Sequence, residues 1–181
     1  KIRILNFCMR LIVLSNDIQR SERIMKYVAL VTITGLLISL TTAFAADGVR
    51  LASAITGDHR TATNIARNEW RHPVETLEFF GVRDDMTVVE IWSGGGGWYT
   101  EILAPFLREN GKLYAANYDG STGSEYFKHN AKKFRDKLAS KPEIYDKVVV
   151  SALMPPASME PAPAGSADLV VTFRNMHNWV R

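Results

Sequence analysis

Cysteine is almost absent from these 181 residues: Cys8 is the only one. That excludes a disulfide framework and the small stapled folds that depend on one. Histidine is nearly as scarce. His59, His72, His129 and His177 are scattered with no H-x-x-x-H spacing, so no metal is expected. No Ser-His-Asp or Cys-His constellation can be assembled from them either. A strong charge of one sign is lacking as well. The net charge is +3, but residues 1–45 hold six basic and two acidic residues, a net of +4. The remainder, with 16 basic and 17 acidic residues, carries −1. A nearly neutral body gives no case for nucleic-acid binding. The cluster Lys128, Lys132, Lys133, Arg135 and Lys137 is interleaved with Phe127, Phe134 and Leu138 at helical spacing, which describes a solvated helix face. Disorder is excluded too, because 46% of the residues are hydrophobic.

The first 45 residues read as something other than the domain. Tyr27 to Ala46 carries no charge, Lys26 stands just before it, and Ala43-Phe44-Ala45 has the A-x-A form of a cleavage site. A positive start, an apolar centre and small residues at the right offset describe a secretory signal peptide over 25–45. The natural start is then expected at Met25, with residues 1–24 a non-native upstream extension. The mature protein is expected to begin at Ala46, exported to a bacterial periplasm. The competing reading is an uncleaved anchor over residues 27–46, which would be the chain's one contact with a membrane.

From Ala52 onward, helices and strands alternate. Ala52 to Arg71 reads as helical in pieces, with Asp58 as an N-cap. Pro73 opens a helix that Gly81 closes. The strands are expected at Thr87–Ile91, Lys112–Asn117, Lys147–Ser151 and Asp168–Phe173. Between them lie a helix from about Trp98 to Arg108, which Pro105 should kink or shorten, and another over Ser124–Leu138. Such alternation means α/β architecture: a Rossmann-like parallel sheet with flanking helices, here ending after a fourth strand. Ligands of such sheets bind at the carboxyl ends of the strands. That rule brings Glu90–Gly97, Asn117–Asp119, Ser151–Leu153 and Arg174–His177 to one rim.

The densest signal is Val88-Val89-Glu90-Ile91-Trp92-Ser93-Gly94-Gly95-Gly96-Gly97-Trp98-Tyr99-Thr100. An apolar strand ends in a carboxylate, a glycine run follows, and a helix begins. Glycines let the backbone approach a ligand closely, and the new helix offers unpaired N–H groups.

These residues, with Arg71-His72-Pro73-Val74-Glu75-Thr76-Leu77, Gly97-Trp98-Tyr99-Thr100-Glu101 and Phe173-Arg174-Asn175-Met176-His177-Asn178-Trp179, resemble the class I S-adenosylmethionine-dependent methyltransferases. Within that family they are similar to a bacterial group of exported methyltransferases, over roughly residues 58–181. The resemblance implies S-adenosyl-L-methionine as cofactor. Glu90 and Gly94, Gly95, Gly96 and Gly97 would hold its methionine part, and Asn117 or, preferably, Asp119 its ribose. Trp92 stands where the family's first glycine usually falls, and no acid for adenine follows the third strand. Arg174 and Asn175 would line the rim, with Arg174 able to bind an anionic substrate. His177 is the one candidate base. Family members continue through three more strands, so residues 46–181 correspond to an N-terminal part of the domain, and the small-molecule methyl acceptor is not specified.

Two other functions compete. A non-catalytic exported binding protein would keep the sheet without the chemistry. A nicotinamide-dinucleotide enzyme shares the glycine-turn logic, but G-x-G-x-x-G spacing is missing and Trp92 counts against it.

Overall fold

A computed structural model describes residues 25–26, 48–121 and 124–179. The chain divides into two units, Lys1–Ala46 and Asp47–Arg181, and the second carries the fold. The expected upstream extension and signal segment lie, apart from Met25 and Lys26, outside the described residues. Among those residues no helix is long and apolar enough to cross a membrane.

Four short helices lead into the sheet: α1 (residues 48–56), α2 (Ala62–Ala66), α3 (Asn68–Arg71) and α4 (Pro73–Phe79). The cap of α2 is Thr61, whose side chain accepts from the Asn64 N–H, and not Asp58 as expected. Asp58 lies too early, because α1 runs on to residue 56 and a turn must intervene. Pro73 takes the first turn of α4, where a missing N–H costs nothing, and Gly81 beyond its end has φ +65°.

The core elements are β1 (Thr87–Ile91), α5 (Thr100–Leu107), β2 (Lys112–Asn117), α6 (Glu125–Ser140), α7 (Pro142–Tyr145), β3 (Val149–Ala152), β4 (Leu169–Thr172) and α8 (Met176–Trp179). The strands form one parallel sheet in the order β3-β2-β1-β4. This is the expected α/β Rossmann-like arrangement. Glu90 pairs in register with Ala115 on one side and Val171 on the other, which puts it at the centre of the sheet.

The two faces of the sheet differ. Val88, Leu113 and Val171 point into the main core, with Leu51, Ile55, Leu77, Ile102, Leu103 and Leu107 from the helices. Val89, Tyr114 and Ala116 point the other way, into a small cluster closed by Leu153 and Ala162 from the β3–β4 connection. Glu90 shares the strand parity of Val88, so its carboxylate lies on the main core face.

Pro105 lies inside α5, which at Thr100–Leu107 is shorter than the expected 98–108. Pro105 lacks the N–H that would pair with the Glu101 carbonyl one turn earlier. His59 Nε2 lies 2.7 Å from that carbonyl and takes the vacant place. The helix therefore continues to Leu107.

Candidate functional site

At the carboxyl end of β1 the chain makes a sharp turn. Trp92 has φ +53°, in the left-handed region that costs a non-glycine residue roughly 1 kcal/mol or more. It is held there on both sides. Its N–H donates to the Ala116 carbonyl (2.8 Å), and its indole Nε1 donates to Leu153 O (2.8 Å). The ring also packs against Tyr118 and Trp179. A tryptophan thus fills a backbone conformation that glycine would normally take, fixed by the neighbouring strand ends.

The four glycines that follow serve different ends. A side chain at Gly95 would meet Asn130 and one at Gly97 would meet Phe134, at 2.6 and 2.8 Å. These two positions let α6 approach the turn. Gly94 and Gly96 face open space. Side chains engage three polar backbone groups of the run. Gly95 N–H donates to Asn130 Oδ1 (3.2 Å), Gly94 O accepts from Asn117 Nδ2 (3.1 Å), and Gly96 O accepts from Lys137 Nζ (2.7 Å).

Asn117 closes β2, fully buried. Besides holding Gly94, its Oδ1 accepts from the Tyr118 N–H at 2.9 Å. Asp119 accepts from both the N–H and the hydroxyl of Ser121 at 2.8 Å, an aspartate closing its own turn. On the β2 side, the residues expected at the ribose are turned toward the protein's own loops.

The β4 side is different. There a cavity of about 120 Å³ is lined by Arg71, Glu90, Ile91, Trp92, Ser93, Trp98, Tyr99, Phe173 and Arg174. Glu90 is 2% exposed, and its Oε2 accepts from the Thr100 hydroxyl at 2.5 Å. Burial pushes its carboxyl up to about 7, while the Thr100 hydrogen bond and the charge of Lys137 oppose the shift. Near neutral pH this group is therefore divided between carboxylate and acid. The Ser93 hydroxyl is buried without a hydrogen-bond partner among the described residues.

The wall is aromatic and basic. Tyr99 stacks on Phe173, centroids 3.4 Å apart and 13° from parallel. The Arg60 and Arg71 guanidiniums each lie 4.8 Å from the Trp98 ring centroid. Burial raises the Tyr99 hydroxyl above its ordinary value, against the nearby Thr76 and Arg71. Among the described residues, three that are not glycine have positive φ: His72, Trp92 and Arg174. Trp92 and Arg174 line the cavity, and His72 directly follows Arg71, which also does. Strain of this kind concentrates where a ligand is held.

Asn175, also expected at the rim, works as a clamp. Its Nδ2 donates to Thr172 Oγ1 (2.9 Å) and reaches the carbonyls of Ile91 and Trp92, while Thr172 Oγ1 donates to Ile91 O (3.2 Å). It ties the exit of β4 to the exit of β1. His177 lies exposed on α8 and does not line the cavity.

The sequence reading missed the network behind this site. Glu101, 1% exposed, accepts from Arg60 Nε (3.2 Å), from Asn64 Nδ2 (2.8 Å) and from Lys137 Nζ. Arg60 also donates to Ile55 O and Asn68 Oδ1. Thr100 and Glu101 are adjacent: the first steadies Glu90, and the second anchors α5 to the N-terminal helices and α6. Lys137 thus leaves the solvated lysine face to which its spacing assigns it. Lys128 and Lys132 stay on that face, paired with Glu125 and Asp136. Among the described residues, no cluster of His, Cys, Asp and Glu could hold a metal. No family model matches this chain, and no curated protein matches it.

Proposed function

We propose that the protein is an S-adenosylmethionine-dependent methyltransferase whose cofactor site is centred on Glu90. One observation carries this reading: a buried carboxylate stands one residue from the end of a central parallel strand, at a cavity on the carboxyl edge of the sheet, with a glycine turn and a helix following. S-adenosylmethionine supplies a sulfonium-activated methyl group when bound. The chain's own residues supply the rest.

Glu90 offers a desolvated negative charge to the ammonium end of the cofactor, and Thr100 fixes its orientation. The open space beside Gly94 and Gly96 lets a ligand approach the turn. The stacked Tyr99 and Phe173 shield the Glu90 side of the cavity from water. Fit is good at the amino-acid end and poor at the ribose end, where Asn117 is engaged with Gly94 and Tyr118. Methyl transfer asks mainly for in-line positioning, so a histidine base outside the cavity is no obstacle.

The engagement of Asn117 favours one second reading, a binding protein that retains the sheet without turnover. Calorimetric titration of the full chain with S-adenosylhomocysteine, S-adenosylmethionine and NAD tests both. Binding of the first two without NAD is expected, and binding with no methyl transfer to any acceptor would favour the second reading. Absence of binding by either sulfur compound would remove the proposal.

A further inference from the structure

The cavity walls carry unequal charge. One carboxyl group, Glu90, and two guanidiniums, Arg71 and Arg174, line the cavity. Among the described residues no salt bridge joins either arginine, although Arg50, Arg60, Arg83 and Arg108 all have acidic partners. Arg71 is held over the face of Trp98 and interacts with the Tyr99 hydroxyl, and a guanidinium fork has five N–H donors, more than one hydroxyl can use. Arg174 is exposed and set by a strained backbone, φ +62°. Burial, then the neighbouring charges of Arg67 and Arg174, hold the Arg71 guanidinium below its ordinary pKa. Two like charges in a cavity with a single carboxyl group leave an excess of positive charge, and an anion placed between them reverses the sign of the interaction.

We propose that Arg71 and Arg174, with the Ser93 hydroxyl, bind an anionic group, a carboxylate or a phosphate, on the methyl acceptor. Glu90 takes the cationic end of the cofactor, and the arginine pair takes the acceptor. Guanidinium forks match the planar or tetrahedral oxygens of such groups in two-point contact. A cavity of about 120 Å³ with an exposed arginine at its rim admits an anionic head group. The acceptor is therefore a small anionic metabolite, or a larger molecule presenting one anionic end. This assignment of the acceptor rests on the methyltransferase reading; the anion site itself does not.

Trp92 and Trp98 line the cavity, so its occupancy can be read by tryptophan fluorescence. The full chain is titrated with inorganic phosphate and with succinate, at ionic strength held constant with sodium chloride. S-adenosylhomocysteine affinity is measured in parallel by calorimetry. Saturable signals are expected for at least one anion, weakened tenfold or more by Arg71→Gln and by Arg174→Gln, with Arg174→Gln changing S-adenosylhomocysteine affinity less than threefold. Because Arg174 is exposed, its variant keeps the test sound even if Arg71→Gln fails to fold. A linear response, or the same saturation in Arg174→Gln, overturns the anion site. A tenfold loss of S-adenosylhomocysteine affinity in Arg174→Gln, with phosphate competing against it, overturns the assignment to the acceptor and gives the arginines to the cofactor's own carboxylate. Saturation by anions without any S-adenosylhomocysteine binding upholds the anion site while removing the methyltransferase reading.

Discussion

The two flanks of β1 use their polar groups in opposite ways. Toward β2, the glycine turn is packed: Asn130, Lys137 and Asn117 each hold one of its backbone groups, and α6 fills the space beside Gly95 and Gly97. Toward β4, polar groups are left over among the described residues: two guanidiniums without acidic partners, a buried hydroxyl without a hydrogen-bond partner, and a carboxyl driven up by burial. A glycine-rich turn is commonly taken as the place where a ligand is gripped. Here it serves mainly to let helix and strand approach, and the capacity to bind lies on the other flank. Changes on the packed flank should therefore be read in stability, and changes on the open flank in binding.

The largest effect is expected behind the packed flank. Glu101→Ala would leave the fully buried Arg60 without its carboxylate, which typically costs about 3–5 kcal/mol. Urea unfolding measures it; a loss under about 1 kcal/mol would mean the buried network contributes little to the flank.

Next is the pH response of Glu90. Its carboxyl sits at about 7 in the folded protein against an ordinary 4.5. Between those values the native chain holds a proton that the unfolded chain has released. Its contribution to stability is thus fully present below about 4.5 and is lost as the pH rises through 7, about 3 kcal/mol in all. Urea midpoints of the parent should fall between pH 5 and pH 8, and those of Glu90→Gln should fall much less. Parallel curves for the two proteins would contradict the placement of Glu90 in a dry site.

Ligand binding separates the flanks further. Glu90→Gln should weaken S-adenosylhomocysteine binding by about 1.5–3 kcal/mol, the usual worth of a hydrogen bond to a charged group. Asp119→Asn should weaken it far less, since Asp119 already closes a turn with Ser121. Calorimetry on the two variants decides between them, and equal losses would move the site back toward β2. Affinity in the parent should also rise from pH 6 to pH 8 as Glu90 ionises.

The smallest test lies inside the turn itself. Gly97→Ala combines φ +52° with a contact to Phe134 and should cost about 1–3 kcal/mol in thermal or urea unfolding. Gly96→Ala meets nothing within 4 Å and should be close to neutral. If the two were alike, the close approach of α6 would not be what these glycines provide.

How far the sequence foretold this arrangement depends on burial. β1 and β2 lie where their apolar runs place them, Thr87–Ile91 and Lys112–Asn117, because central strands are buried on both faces and carry a continuous signal. The outer strands shift. β3 spans Val149–Ala152 rather than Lys147–Ser151, and β4 is one residue shorter at each end than expected, since an edge strand has pairing on one side only. Glu90 is legible as the acid closing a strand. Arg60, Glu101 and Lys137 are not: Arg60 and Lys137 lie 41 and 36 residues from Glu101, and no periodicity joins segments that only tertiary packing brings together. Arg71 sits in a stretch whose resemblance is readable, but its place in the cavity depends on packing that brings the end of α3 to Phe173 and Arg174, about 100 residues on, which no local pattern encodes.

The clamp between Ile91 and Thr172 joins positions 81 residues apart in the chain. During synthesis the glycine turn, α5 and β2 can assemble long before β4 has emerged. The cavity cannot, because Phe173 and Arg174 complete its wall. Closing so long a loop is slow, and nothing that fills the cavity can bind until it is done. A ligand of this site would select only chains in which β4 has docked, and by mass action would protect that strand from fraying. Occupancy would then report the docking of β4 in each newly made molecule.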